Sequence, residues 1–309
     1  MHIVISEFMD EPAVQALKQE FDVRYEPDLV SRRDALLAAV ESADALIVRN
    51  GTQVDAPLLA KAGRLKAVGR LGVGLDNIDV KTCRERGIEV IPATGANARS
   101  VAEYVIAATL VLLRGAFAAS DRMAAGQWPR AELSNGLEVG GRTLGIVGFG
   151  ATGRLAATMA RGLGMKVVAY DPMLPADAPA WRETGAERAD LDAVLSRSDA
   201  VTLHVPLTDD TRNLLDTRRL ALMKPGAVLV NTARGGIVDE AALAAALKSG
   251  ALRGAAVDVF EREPLPAGSA LADAPNVFLT PHIAGVTADS NERISALIGR
   301  RIAETLRPN

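Results

Sequence analysis

Thr143-Leu144-Gly145-Ile146-Val147-Gly148-Phe149-Gly150-Ala151-Thr152-Gly153 decides how the middle of this chain folds. A short apolar strand runs straight into a G-x-G-x-x-G spacing, and a helical stretch from Arg154 to Leu163 follows. A second strand, Lys166-Val167-Val168-Ala169-Tyr170, then ends in Asp171, 18 residues after Gly153. With 27 glycines in the chain, such a spacing alone is weak, and Gly72-Val73-Gly74 is a near miss without the third glycine. The strand, loop, helix, strand context selects the middle copy. It predicts a tight turn at Gly148, close backbone approach to a pyrophosphate at Gly150 and close helix packing at Gly153. A carboxylate at Asp171 can accept from both ribose hydroxyls and would repel a 2′-phosphate, so NAD is favoured over NADP. Asp171-Pro172 also reads as a strand-ending turn, and one residue can do both.

Working outward, the chain has 309 residues, more than a single core usually holds, so two domains are expected. Hydrophobic residues are 49% and charged residues 24%, a globular balance and not a disordered one. The net charge of -3 with scattered Lys and Arg leaves no basic footprint for nucleic acid. The lone Cys83 cannot form an intrachain disulfide, which fits a reducing, cytoplasmic setting. The N-terminus reads as a first strand and not as a signal peptide. The most apolar run, Tyr104 to Leu113, is about half the roughly 20 residues a membrane span needs.

Ahead of the glycine motif, apolar runs at His2–Ser6, Ala45–Asn50, Lys66–Gly69 and Glu89–Ile91 alternate with helical patterns at Pro12–Glu20, Arg32–Ser42, Pro57–Ala62 and Val80–Arg86. Such alternation implies parallel strands joined by helical crossovers. After Gly95, Ser100 and Glu103 have the spacing of a capping box that opens a long helix into a second unit. The polar segment from Gly126 to Arg142 carries an Asn135-Gly136 turn signal.

Several nucleotide chemistries are closed by the residues. No Tyr is followed four positions later by Lys, and one Cys with three dispersed His gives no zinc-ligand spacing, so no metal is implied. Downstream, Ala227–Ala233 leads into Arg234, Ala255–Phe260 into Glu263, and Val277–Thr280 into Pro281-His282. Open α/β sheets bind ligands at that strand edge. An anion clamp, a carboxylate and an imidazole there fit reduction of a 2-keto acid. Taken singly, Glu263 before a proline is more often a solvated loop residue, His204 on a strand is more often satisfied core, and Arg234 could cap a nearby helix.

The chain resembles the D-isomer-specific 2-hydroxyacid dehydrogenase family, the group containing 3-phosphoglycerate dehydrogenase. The likeness runs nearly end to end: Gly69–Asp79, Ser100–Glu103, Gly148–Arg154, His204–Thr208, Asn231–Gly235, Asp258–Leu265 and Thr280–Gly285. The resemblance implies two Rossmann-like α/β domains with an active-site cleft between them. Residues 98–284 would form a doubly wound parallel NAD-binding domain, and 1–97 plus 285–309 a flavodoxin-like substrate domain. It implies a homodimer through the NAD-binding domain, with the helix from Ser100 at the interface. Carried onto this sequence, Arg234 would bind the substrate carboxylate, His282 would protonate the carbonyl oxygen and Glu263 would pair with His282. Val73 and Gly74 would hold the same carboxylate through backbone N–H groups. Asp258 would meet the nicotinamide carboxamide, Arg154 would approach the pyrophosphate, and His204, Pro206, Ala233 and His282 would lie by the cofactor. Thr152 stands where many relatives carry an aliphatic residue.

Arg49 and Arg70 fall at strand ends of the first domain and resemble positions that phosphoglycerate dehydrogenases use near the phosphate, although either can equally serve a structural ion pair. Ile5–Glu11 and Val48-Arg49-Asn50 are also similar to sulfolactate dehydrogenases. The expected substrate is a small D-type 2-hydroxy acid with a second anionic group at carbon 3, 3-phosphoglycerate or sulfolactate. A hydroxypyruvate or glyoxylate reductase is the alternative within the class. A corepressor that senses NAD(H) is the alternative outside it; the chain ends directly after its last helix, which leaves no room for the tails such proteins carry, nor for a regulatory extension.

Overall fold

A computed structural model describes residues 1–307, which fall into two compact units. One comprises Met1–Asn97 with the C-terminal segment from Val286, and the other Ala98–Gly285. Among the described residues no helix is long and apolar enough to cross a membrane.

The first unit opens β1 (His2–Ile5), α1 (Glu11–Lys18), β2 (Asp22–Tyr25), α2 (Arg33–Val40), β3 (Ala45–Val48), α3 (Ala56–Lys61), β4 (Ala67–Arg70), α4 (Val80–Glu85) and β5 (Glu89–Pro92). Its sheet has the order β2-β1-β3-β4-β5 with every pair parallel, the flavodoxin-like arrangement. Helices on both faces explain why Ala45-Leu46-Ile47-Val48 is apolar at every position and wholly buried. Strand β2, Asp22-Val23-Arg24-Tyr25, lacks such a run because it is a half-exposed edge, and periodicity does not reveal it. Helix starts follow local chemistry: the Asp55 side chain accepts from Leu58 N at 3.1 Å, with Pro57 in the first turn.

The second unit contains α5 (Ala98–Arg114), α6 (Ser120–Ala124), β6 (Thr143–Val147), α7 (Ala151–Gly162), β7 (Lys166–Tyr170), α8 (Pro179–Thr184), β8 (Glu187–Arg188), α9 (Leu191–Arg197), β9 (Ala200–Leu203), α10 (Thr217–Leu220), β10 (Ala227–Asn231), α11 (Glu240–Lys248), β11 (Leu252–Val257) and β12 (Val277–Leu279). The parallel sheet runs β12-β11-β10-β9-β6-β7-β8, a doubly wound order that reverses between β6 and β9. Helix α5 begins before Ser100, so Ser100 lies inside it and not at its cap. Glu103 pairs instead with Arg99, Nε to Oε1 2.9 Å, one turn back.

The chain closes with α12 (Ala288–Leu306), which returns to the first unit's sheet. Thr287 and Ser290 form a capping box at its start, and Ile294, Ile298, Ile302 and Leu306 share one buried face. Gly69 in β4 makes this packing possible, because a Cβ there would stand 2.7 Å from the Ile298 side chain. Ile298 is fully buried, so Ile298→Ala leaves a cavity. It should lower unfolding free energy by about 2–4 kcal/mol, read as a lower urea midpoint at unchanged slope for the first unit's transition.

Candidate active site

The glycine loop sits at the point where the second sheet's strand order reverses. Gly148 follows β6 with φ 94°, and a Cβ on it would meet the His204 carbonyl oxygen at 2.4 Å. A Cβ on Gly153 would meet the Gly148 carbonyl oxygen at 2.3 Å, so helix and loop can close only with glycine at both places. Around Gly150 the space is open, and as the N-cap of α7 it leaves the first amides of that helix without a side-chain cap. These features fit a pyrophosphate on the helix N-terminus. Arg154 reaches back from α7, its Nε 3.3 Å from the Gly150 oxygen. Asp171 makes the strand-ending turn. Its Oδ2 accepts from Phe149 N at 2.8 Å and its Oδ1 from Met173 N at 2.9 Å, which fixes the glycine loop and the turn, and each oxygen retains a lone pair for a hydroxyl.

At the ends of the neighbouring strands β10, β11 and β12 the structure pairs His282 with Glu263 and sets Arg234 on the same sheet edge. The imidazole Nδ1 of His282 lies 2.8 Å from Glu263 Oε2, while Glu263 Oε1 accepts from Phe260 N at 3.1 Å. A carboxylate accepts only, so the Nδ1 proton sits in this contact and Nε2 is the nitrogen left for proton exchange. His282 is 41% exposed and Glu263 36% in their side chains, so solvent reaches the pair. Arg234 follows β10 in a turn ordered by Asn231, whose Oδ1 accepts from Ala233 N at 3.1 Å and whose Nδ2 donates to the Arg234 oxygen at 3.2 Å. Next to it, Gly235 lies so close to the Phe260 carbonyl that no Cβ would fit, which locks the β10 and β11 loops against each other.

Asp258 has a role the sequence did not reveal. Its carboxylate is 1% exposed and accepts from Thr280 Oγ1 at 2.6 Å, Ile283 N at 2.8 Å and Ala284 N at 2.8 Å. Its carbonyl oxygen accepts from His282 N at 2.8 Å. Asp258 therefore holds the loop that presents His282, and only Oδ2 keeps capacity for a carboxamide donor. The sole sequence signal was an acidic residue directly after a strand.

In the first unit, Arg49 follows β3, next to the point where that sheet's order reverses between β1 and β3. Burial pulls its guanidinium below the ordinary arginine value, with Glu7 and Tyr25 acting in the opposite sense. Its Nη2 donates to Asn291 Oδ1 at 3.0 Å, and the guanidinium lies 5.7 Å from the Phe8 ring centroid. Glu7 orders the loop, its carboxylate accepting from Arg49 N at 2.8 Å, Gly51 N at 3.0 Å and Thr52 N at 2.9 Å. Arg70 ends β4, and its Nη1 donates to the Leu71 oxygen at 2.9 Å. Val73 is 42% exposed, with half-buried Gly74 beside it.

His204 stands just past β9, its Nε2 3.1 Å from Thr202 Oγ1. Burial pushes its pKa down to about 4, so it is neutral at pH 7. The neighbouring Pro206 accepts from Thr211 Oγ1 at 2.6 Å, and Ala233 is buried.

A doubly wound sheet with this glycine loop, an acidic residue ending β7 and an Arg, Glu, His set on the same edge defines an NAD-binding oxidoreductase. Residues 106–284 match the model of the D-isomer specific 2-hydroxyacid dehydrogenase NAD-binding domain. The (S)-sulfolactate dehydrogenase of Chromohalobacter salexigens is 55% identical over 95% of this chain and 94% of its own length. The D-3-phosphoglycerate dehydrogenase of Methanocaldococcus jannaschii is 38% identical over 99% of this chain, which spans 57% of that enzyme. Among solved structures, D-lactate dehydrogenase of Aquifex aeolicus, complexed with NAD and lactic acid, superposes with a TM-score of 0.83 at 31% identity, covering 98% of this chain and 94% of that one. The chain belongs to the D-isomer specific 2-hydroxyacid dehydrogenases, oxidoreductases that act on a CH–OH group with NAD.

The neutral His204 gives a pH prediction with a definite sign. As pH falls through about 6.5 the unfolded imidazole takes up a proton, while the folded one does so only near 4, so stability declines across that window. The full loss is on the order of 3 kcal/mol. His204→Gln should lose less stability than the parent between pH 7 and pH 5, measured by urea midpoints at the two values.

Proposed function

We propose that this chain interconverts a small D-type 2-hydroxy acid and its 2-keto acid, and that the acid carries a second anionic group at carbon 3, with sulfolactate ahead of 3-phosphoglycerate. The observation that carries this choice is Arg49. It is a half-buried guanidinium at a strand-order reversal, where open α/β sheets take ligands, and Glu7, Asn291 and Phe8 hold it in place. The 55% identity with a sulfolactate dehydrogenase supports the same choice. Arg70 is assigned to the same distal anion.

In the reduction direction, Arg234 binds the 2-keto acid's carboxylate in a bidentate fork. NADH, when bound, supplies the hydride that carbon 2 accepts. His282 gives its Nε2 proton to the carbonyl oxygen, and Glu263, on Nδ1, keeps the ring oriented and balances its charge. Asp171 takes the ribose hydroxyls, Arg154 the pyrophosphate side and Asp258 the carboxamide, with Gly148, Gly150 and Gly153 as the phosphate loop and His204, Pro206 and Ala233 along the cofactor.

The protein is further assigned to the cytoplasm as a homodimer through the second unit. Phe117 at 67% exposure and Trp128 at 74%, both in the segment that follows α5, supply apolar surface suited to a partner copy.

A panel of sulfopyruvate, phosphohydroxypyruvate, hydroxypyruvate and glyoxylate, followed by NADH absorbance, tests the substrate. The dianionic keto acids should give kcat/KM at least tenfold above the others, and Arg49→Ala should erase most of that advantage, the value of a charged hydrogen bond of about 1.5–3 kcal/mol, while hydroxypyruvate turnover changes little. Equal turnover across the panel would leave a hydroxypyruvate or glyoxylate reductase. Tight NADH binding with no turnover of any member would instead favour a corepressor.

A further inference from the structure

We propose that Tyr104 is a positioning residue for His282, acting through a relay of two hydroxyl groups that ends on Asp258. Tyr104 lies on α5, 176 residues before Thr280, yet its Oη is 2.7 Å from Thr280 Oγ1. Thr280 Oγ1 in turn donates to Asp258 Oδ1 at 2.6 Å. A threonine hydroxyl has one proton, and that proton faces the carboxylate. Tyr104 must therefore be the donor to Thr280, and the relay has a single direction: phenol to threonine to carboxylate. Burial raises the Tyr104 phenol above its ordinary value, and Asp258 adds to this against the lowering contact with Thr280, so the phenol keeps its proton.

The far end of the relay is the His282 loop. Asp258 also accepts from Ile283 N and Ala284 N, and its carbonyl takes His282 N, so one residue grips the loop on both sides of the histidine. That grip opposes a local cost, because His282 adopts φ 53°, a left-handed conformation that is strained for a non-glycine residue. Without the Tyr104 proton, Thr280 Oγ1 loses its incoming donor and can rotate away from Asp258. The carboxylate then holds the loop with two contacts where it had three, and the 2.8 Å Glu263–His282 contact loses its fixed geometry.

This inference rests on the acid/base role given to His282 above. The test uses the full-length enzyme with NADH and sulfopyruvate or hydroxypyruvate, and compares Tyr104→Phe, Thr280→Val, Thr280→Ser and His282→Asn. Tyr104→Phe and Thr280→Val should each lower kcat about fivefold, with NADH affinity by fluorescence unchanged within twofold. Thr280→Ser keeps the hydroxyl and should restore most of the rate, and the Phe/Val double variant should be no slower than Thr280→Val alone. The chain has three histidines, so the His282 ring nitrogen signal, assigned by its loss in His282→Asn, should move in Tyr104→Phe even without substrate. An unaltered kcat and ring signal in Tyr104→Phe, or rate losses that multiply in the double variant, would overturn the relay while leaving the acid/base role intact. Full activity in His282→Asn would overturn the acid/base role and the relay together.

Discussion

A carboxylate sealed from water must find donors, and in this protein that requirement shapes the active edge of the second sheet. Asp258 is 1% exposed, and leaving such an anion unpaired would cost several kcal/mol. The donors within reach are the backbone amides and the threonine hydroxyl of the segment after β12, so the position of that segment follows from the burial of one side chain. The left-handed turn at His282 persists for the same reason: the contacts around it outweigh its conformational cost.

The same device recurs at other strand ends. Glu7, two residues past β1 and 8% exposed, accepts three backbone amides from the loop that carries Arg49. Asp171, one residue past β7, accepts amides from the glycine loop and from its own turn. Loops leaving the carboxyl ends of parallel strands have amides with no ladder partner, and a carboxylate, with about four acceptor sites, can order several of them at once. In each case the ordered loop displays a group of opposite or complementary character: an imidazole, a guanidinium or the uncapped amides at the start of a helix. Anchoring through a side chain that does not itself react leaves the reactive group free to meet a ligand.

This division of labour explains what the sequence made legible. The buried strands announced themselves as apolar runs, and the glycine loop by its spacing and context, because steric demands act on residues close in the chain. Arg234, Glu263 and His282 were readable as chemistry at three strand ends, and the family likeness gave each an expected role. The edge strand Asp22–Tyr25 escaped because half of it faces solvent and no apolar run marks it. The start of α5 was misplaced since Ser100 has a capping pattern that the fold does not use. The anchoring roles of Glu7 and Asp258 were hidden for a deeper reason. An acidic residue after a strand reads the same whether it faces a ligand or ties down a loop, and the choice is made by partners tens of residues away.

The near-miss glycine segment of the first unit shows how such a signal resolves. Gly72-Val73-Gly74 has the spacing that begins a nucleotide loop, yet it follows β4 and leads into no helix before Val80. Its nearest neighbour is the protein's own arginine: a Cβ on Gly72 would run into the tip of the Arg70 side chain. The guanidinium lies over the bare Cα and donates to the Leu71 oxygen, so the loop is folded around a cation. In the middle of the chain, glycine leaves open space before an uncapped helix N-terminus; here it makes room for the protein's own positive group. The same spacing thus meets two different steric demands, and the element that follows, helix or irregular loop, decides between them.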